Sequence, residues 1–137
     1  MAQASKTALI TGASVGIGRE LAKLFAQDGC NLVLVARNAA RLQQVATDLE
    51  KQFGVSAKAL PLDLSGSAAP QFLFDQLQRE NVAIDVVVNN AGYGKLGAFA
   101  AIPYEESAGQ IELNITALTH LTKLFVAPML ERKSGRI

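Results

Sequence analysis

The sequence predicts an α/β fold: a doubly wound parallel sheet with helices on both faces, whose pattern breaks off after about four strands. Three observations predict it. Short apolar runs alternate with longer stretches of helical period along the whole chain. The runs are rich in Val and Leu and lack polar alternation, as expected of strands buried on both faces. A helix-length segment separates each run from the next, the crossover that parallel strands require and hairpins do not.

The first strand is expected at Thr7 to Thr11, and a Gly-rich turn leads into a helix from about Gly16 to Gln27. Asn31 to Ala36 is the second strand; a helix follows from about Ala39 to Phe53, with Gly54 placed to cap its end. Ala57 to Leu62 reads as a third strand, Ala69 to Glu80 as a helix, and Ile84 to Asn89 as a fourth strand. Beyond a loop rich in Gly and Ala, a long helix is expected from about Tyr104 to near Phe125. Glu105 and Glu106 suit its N-terminal dipole, and Pro128 falls close to its end. Ser134-Gly135-Arg136-Ile137 reads as a turn entering a fifth strand of which only Ile137 is present. No linker, repeat or low-complexity stretch divides the chain, so residues 1–137 are expected to form one domain.

Composition narrows the function classes. Half of the 137 residues are hydrophobic, enough for a real core. Thirteen basic and twelve acidic residues leave a net charge of +1, too small a field to favour nucleic acid or an anionic membrane as partner. Cys30 stands alone, which excludes an internal disulfide, offers no metal-ligand spacing and suits a small buried hydrophobe in a reducing compartment. The N-terminal Met-Ala-Gln-Ala-Ser-Lys runs into the first strand without an apolar signal core, and no apolar run approaches the roughly 18 residues of a membrane span. A cytoplasmic protein is the expectation.

The first turn reads Thr11-Gly12-Ala13-Ser14-Val15-Gly16-Ile17-Gly18, between a strand and a helix. Glycines there let the backbone turn tightly and approach a pyrophosphate, while free N–H groups and the helix dipole favour its charge. The bland alternative is that they serve strand-to-helix packing alone. In a dinucleotide site an acid about 20 residues further on binds the ribose hydroxyls and marks NAD. Here the second strand ends Val35-Ala36-Arg37-Asn38, and no Asp or Glu occurs from Asn31 to Ala40. Arg37, a planar fork of donors, suits the 2′-phosphate of NADP, and Ser14 could add a hydroxyl. The competing reading is an exposed Arg whose stem covers apolar surface.

The Thr-Gly-x-x-x-Gly-x-Gly spacing, Arg37, Leu62-Asp63-Leu64-Ser65 after the third strand, Asn89-Asn90-Ala91-Gly92 after the fourth and Asn114 in the long helix occur in one order. In that order the sequence resembles the N-terminal, cofactor-binding half of the classical short-chain dehydrogenase/reductase family, from Thr7 to Ile137. The resemblance implies a Rossmann-type domain for NADP(H). It assigns Gly12, Ser14, Val15, Gly16, Ile17, Gly18 and Arg37 to the phosphate side of the cofactor. Asp63, with Leu64, would accept a hydrogen bond from the adenine amino group, and Asn90, Ala91 and Gly92 would lie along the nicotinamide ribose. It also gives Asn114 a catalytic role: the residue distorts the helix so that a backbone carbonyl holds a water of the proton relay. Leu113 and Ile115 suggest a buried setting for it. Asp63 as a local backbone cap and Asn114 as a solvent-facing residue remain the plainer alternatives.

The family's chemistry also uses a Ser after the fifth strand and a Tyr-x-x-x-Lys on the next helix. Tyr93 and Tyr104 are followed four residues later by Gly97 and Ala108, so neither forms that motif. His120 reads as a helix-surface or partly packed residue rather than a base. Two functions therefore compete: the NADP(H)-binding part of a reductase that acts on a small carbonyl or alcohol and is inactive alone, or a non-catalytic NADP-binding or interaction module. A methyltransferase-like reading fits the first turn but leaves Arg37 and Asn-Asn-Ala-Gly unexplained. The family pairs its long helix with a second copy, and the fourth strand lacks its outer neighbour, so a homo-oligomer is expected.

Overall fold

The computed structural model describes residues 5–137; residues 1–4 lie outside the described residues. Four parallel strands, β1 (Thr7–Thr11), β2 (Asn31–Ala36), β3 (Ala57–Pro61) and β4 (Val86–Val88), are arranged in the order β3-β2-β1-β4. Central β1 sets Leu9 opposite Val33 on one side and Val87 on the other. The crossovers carry α1 (Gly16–Gln27), α2 (Ala39–Phe53) and α3 (Ala69–Arg79).

Strand residues alternate between two cores, which is why the runs show no polar alternation. Leu9, Val33, Val35 and Val87 pack on one face with Leu73 and Leu77 of α3. Ala8, Ile10, Leu32 and Leu34 pack on the other with Ala22 and Ala26 of α1 and Leu42, Val45, Ala46 and Leu49 of α2. Local signals agree with this packing. The Asn38 side chain accepts a hydrogen bond from the Arg41 N–H at 2.9 Å and caps α2, and Gly54 ends that helix in the left-handed region at φ 70°.

Three expectations are corrected, and the third of the four below is qualified. First, β4 is three residues long instead of six, because the backbone N–H of Asn90 turns to the Thr11 side chain and leaves the ladder. Second, the long helix does not stop near Phe125. It runs as α4 (Tyr104–Ile111), π-helical turns over Glu112–Ala117, and α5 (Leu118–Glu131), passing through Pro128. Its buried residues Ala117, Leu121, Phe125 and Met129 recur every four positions, so burying Met129 extends the helix past the proline. Phe125 meets Phe74 of α3 edge to face with ring centroids 5.2 Å apart.

Third, the Tyr104–Glu131 stretch is 28 residues long with a mean hydropathy of 1.2 over its best 18-residue window, long and apolar enough to cross a membrane by length and composition. Charged residues interrupt its apolar runs, as the sequence reading has it, and in the fold one seam of the helix packs on the sheet. Fourth, the outer edge of β4 is not wholly open. The tail returns alongside it: Arg136 N–H donates to the Asp85 carbonyl at 3.0 Å and Val87 N–H to the Arg136 carbonyl at 2.9 Å, a parallel bridge. Arg132 reinforces this return by donating to the Ile84 carbonyl at 2.8 Å.

Candidate functional site

The C-terminal ends of all four strands open into one cleft of about 810 Å³. Ligands of open α/β sheets bind at this end, where the order of the strands reverses, here beside β1. The cleft brings together Gly12, Ser14, Val15, Gly16 and Ile17 after β1, Arg37 after β2, Asp63 and Leu64 after β3, and Asn90, Ala91 and Gly92 after β4. Gly18 and Asn114 do not line it.

Gly18 is buried beneath the turn, where a Cβ would overlap the Gly12 carbonyl oxygen. Gly12 itself takes φ +66°, and a Cβ there would stand 2.8 Å from the Asn90 amide nitrogen. The two glycines therefore let the turn, α1 and the segment after β4 approach one another. Asn90 closes the contact by donating its side-chain amide to the carbonyls of Thr11 (3.0 Å) and Gly12 (3.3 Å).

Thr11, which the sequence reading leaves as a strand end, is the hub of this region. It is 1% exposed, and its hydroxyl accepts from the N–H groups of Asn90 (3.0 Å) and Ala91 (2.9 Å) while donating to the Val88 carbonyl at 3.3 Å. The signal was a polar side chain closing a strand whose middle, Ala8-Leu9-Ile10, is apolar. On the far side, Ala13 N–H donates to the Val35 carbonyl, tying the turn to β2 as well.

Arg37 and Asn38 are exposed at the mouth, and Arg41, one helical turn further along α2, lines the same cleft. Sequence reasoning missed Arg41 because its proximity arises only when α2 folds back. Across from them, Asp63 Oδ1 accepts from both the hydroxyl (2.7 Å) and the N–H (3.0 Å) of Ser65. Those two bonds, with a smaller contribution from the Arg37 charge, hold the Asp63 carboxyl below the usual range. The local-cap role thus occupies one oxygen and leaves Oδ2 free among the described hydrogen bonds.

Asn114 sits within the π-helical turns, but the buried setting suggested by its neighbours is not found: it is exposed, and Ile115 is 58% exposed. The reason is that this side of the helix faces the loop after β4 rather than the sheet. There Asn114 grips one residue twice, accepting from the Tyr93 N–H at 3.0 Å and donating to the Tyr93 carbonyl at 2.8 Å. Gln110, one turn earlier, accepts from the Lys95 N–H at 3.1 Å. His120 is partly packed on α5 and stands outside the cleft. Half-exposed Cys30 has its thiol pKa pushed up, chiefly by burial and then by the nearby Asp28 charge.

Comparison with known proteins agrees with this geometry. The sequence model of the short chain dehydrogenase family matches residues 6–137. The oxidoreductase UcpA of Salmonella typhimurium is 36% identical over 132 residues, covering 96% of this chain and 49% of the relative. Among solved structures, a short-chain dehydrogenase from Sphingobium yanoikuyae in complex with NADPH superposes with a TM-score of 0.89 at 39% identity, over 95% of this chain and 50% of that one. An alcohol dehydrogenase from the archaeon Thermococcus sibiricus complexed with 5-hydroxy-NADP gives a TM-score of 0.89 at 32% identity, over 96% and 56%. The chain spans about half the length of the curated relatives it matches. With the family's sequence pattern matched along nearly all of its length and the family's sheet and cleft built from those same residues, this chain belongs to the short chain dehydrogenase family.

Proposed function

We propose that this chain is the NADP(H)-binding part of an oxidoreductase whose whole protein transfers hydride between the nicotinamide and a small carbonyl or alcohol substrate. One observation carries the reading. Arg37 lines the cleft just past β2, where an NAD site would present an acid, and no Asp or Glu lies between Asn31 and Ala40. Ser14 lines the same cleft from the glycine turn. Relatives crystallised with NADPH or an NADP derivative support the choice of cofactor.

The donor set fits such a group. Gly12, Ser14, Val15, Gly16 and Ile17 offer backbone and hydroxyl donors to a pyrophosphate, and Gly18 permits the turn that presents them. Asp63 Oδ2, with Leu64 beside it, is a free acceptor for an adenine amino group, and Asn90, Ala91 and Gly92 border the opposite end of the cleft. Asn114 holds the chain at Tyr93 and is assigned to the proton relay of the whole protein. NADP(H) supplies the hydride when bound. The same reading has the protein act in the cytoplasm as a homo-oligomer on small molecules, without nucleic acid or membrane.

The second reading, a non-catalytic NADP-binding or interaction module, rests on the absence of a Tyr-x-x-x-Lys in these 137 residues. Calorimetric titration with NADP+ and NAD+ tests what the two readings share. Tighter binding of NADP+ is expected, and equal affinities would refute the assignment of Arg37.

A further inference from the structure

We propose that Tyr93 forms the wall at the end of the cleft bordered by Asn90, Ala91 and Gly92, and that Gly109 is a positioning residue that fixes its ring there. The inference rests on the reading of the cleft as an NADP(H) site, in which that end receives the nicotinamide. It starts from a helix position that needs a reason. Gly109 lies inside α4, where glycine is the poorest helix former after proline. Its φ is not positive, so the backbone does not require a glycine. What requires it is space: a Cβ there would stand 2.7 Å from the Tyr93 hydroxyl oxygen, well inside van der Waals contact. The next atom of the ring, Cζ, would be 3.9 Å away, an ordinary contact. The notch is thus cut for the hydroxyl alone.

The Tyr93 hydroxyl reaches the Glu106 carbonyl at 3.5 Å, a long bond to an acceptor shared with the Gln110 side chain. Shape rather than hydrogen bonding therefore sets the ring. The main chain of Tyr93 is fixed independently, since Asn114 bonds both its N–H (3.0 Å) and its carbonyl (2.8 Å). With the main chain held and α4 on one side, a displaced ring turns about its own side-chain torsions toward the other side, where Tyr93 lines the cleft. Leu113, one helical turn beyond Gly109, lines the cleft beside it. One face of the long helix thus carries both the notch and part of the wall. The adenine end, at Asp63 after β3, lies three strands away from Gly92 after β4, roughly 14 Å at the spacing of a sheet. A change in the Tyr93 ring acts on the nicotinamide half of the ligand and not on the adenine half.

That contrast gives the test. Adenosine 2′,5′-bisphosphate carries the adenine half of NADP+ and no nicotinamide. Calorimetric titrations with both ligands compare the 137-residue chain with its Tyr93→Phe, Gly109→Ala, Tyr93→Ala and paired Tyr93→Phe/Gly109→Ala variants. Circular dichroism melts check that each is folded; if Gly109→Ala does not fold, Tyr93→Ala decides alone. Tyr93→Phe is expected to bind both ligands as the parent does. Gly109→Ala weakens NADP+ binding by about fivefold, the coupling of two residues in contact, and leaves the bisphosphate unchanged. The pair regains the parent affinity, because without the hydroxyl the new methyl meets only the ring carbon at 3.9 Å. Tyr93→Ala, which removes the wall without any clash, also loses affinity for NADP+ alone. A folded Gly109→Ala variant that binds NADP+ like the parent, or a loss that the pair does not restore, overturns the inference. So does a Tyr93→Ala variant unchanged toward NADP+, or equal losses for the two ligands, which mark a purely structural role. A parent chain that binds neither ligand overturns the reading of the cleft and the inference with it.

Discussion

Replacing Thr11 by Val tests whether one hydroxyl couples the glycine turn to the segment after β4. The change keeps the shape of the side chain and removes three hydrogen bonds: from the N–H groups of Asn90 (3.0 Å) and Ala91 (2.9 Å), and to the Val88 carbonyl (3.3 Å). An unsatisfied buried group costs about 1–3 kcal/mol. The Asn90 N–H and the Val88 carbonyl keep their bond to each other at 3.0 Å and lose only about 0.5 kcal/mol each, while the Ala91 N–H, left without its partner, costs about 2 kcal/mol, giving a loss of about 3 kcal/mol. The new methyl returns somewhat less than about 1 kcal/mol. The net expectation is a destabilisation of about 2–3 kcal/mol. With a urea slope of about 2 kcal/mol per molar, the unfolding midpoint should fall by about 1–1.5 M in a far-ultraviolet circular dichroism titration. Thr11→Ser keeps the hydroxyl and loses only a buried methyl, for about 1 kcal/mol. The order is thus fixed: Val below Ser, and Ser below the parent. A Val variant within about 0.5 kcal/mol of the parent, or one more stable than the Ser variant, would refute the idea that this hydroxyl joins the two segments.

Arg37→Ala should lower NADP+ affinity by roughly tenfold to hundredfold, the worth of a charge-assisted contact, with NAD+ affinity held; calorimetry reads both, and an unchanged ratio makes Arg37 a surface residue. Ser65→Ala should raise the Asp63 pKa toward its ordinary value, because it removes the largest cause of the depression. A depressed carboxylate stabilises the fold above its unfolded pKa of about 3.9 and loses that contribution as the pH falls through its lower folded value. Carbon-13 NMR titration of Asp63 follows the change, and an unmoved midpoint would show that the hydroxyl does not set it. The 137-residue chain should show no turnover of NADPH with ketones or aldehydes, since no Tyr-x-x-x-Lys is present to donate and tune the proton; activity that survives repurification would contradict this. Self-association through the long helix is expected in light scattering across a concentration series, because Ile111, Ile115 and Leu118 leave apolar surface exposed on it. A monomer at high micromolar concentration would oppose it.

The first three strands and their helices were legible because the sheet is buried on both faces at its centre, so β1 and β2 are apolar between their end residues with Gly12, Asn38 and Gly54 marking nearby turns, while edge strand β3, which carries Lys58, is legible from its place between two helices. The cleft was legible for a related reason: a site made at strand ends is spelled out by the few residues that follow each strand, from Gly12 to Gly92. What escaped notice depends on residues that act after the chain has folded back. Arg41 and Thr11 join the site through α2 and through β4, and nothing adjacent to them in sequence announces it. Pro128 suggested a helix end, yet the four-residue spacing of Ala117, Leu121, Phe125 and Met129 was already there to extend the helix past it.

Asn114 illustrates how far a local rule carries. Its poor helix propensity marks it as a residue with a reason to be there, and its apolar neighbours argue for burial, but the reason lies elsewhere. A primary amide carries a donor and an acceptor side by side, so it can meet both the N–H and the carbonyl of one residue, as a strand partner does. It does this with Tyr93, at 3.0 and 2.8 Å. An Asp could supply only the acceptor and a Leu neither group. The close approach has a condition on the other side, since a Cβ on Gly92 would lie 3.0 Å from Asn114 Oδ1. Thr11 anchors the beginning of this loop at Asn90 and Ala91, Asn114 holds it at Tyr93, and Gln110 holds Lys95. The loop bordering one end of the cleft is exposed and still fixed at three points, between the central strand and the long helix. The π-helical turns at Glu112–Ala117 lie where that grip is made. The widened turns and the paired hydrogen bonds to Tyr93 are therefore parts of one device that sets the position of the cleft wall.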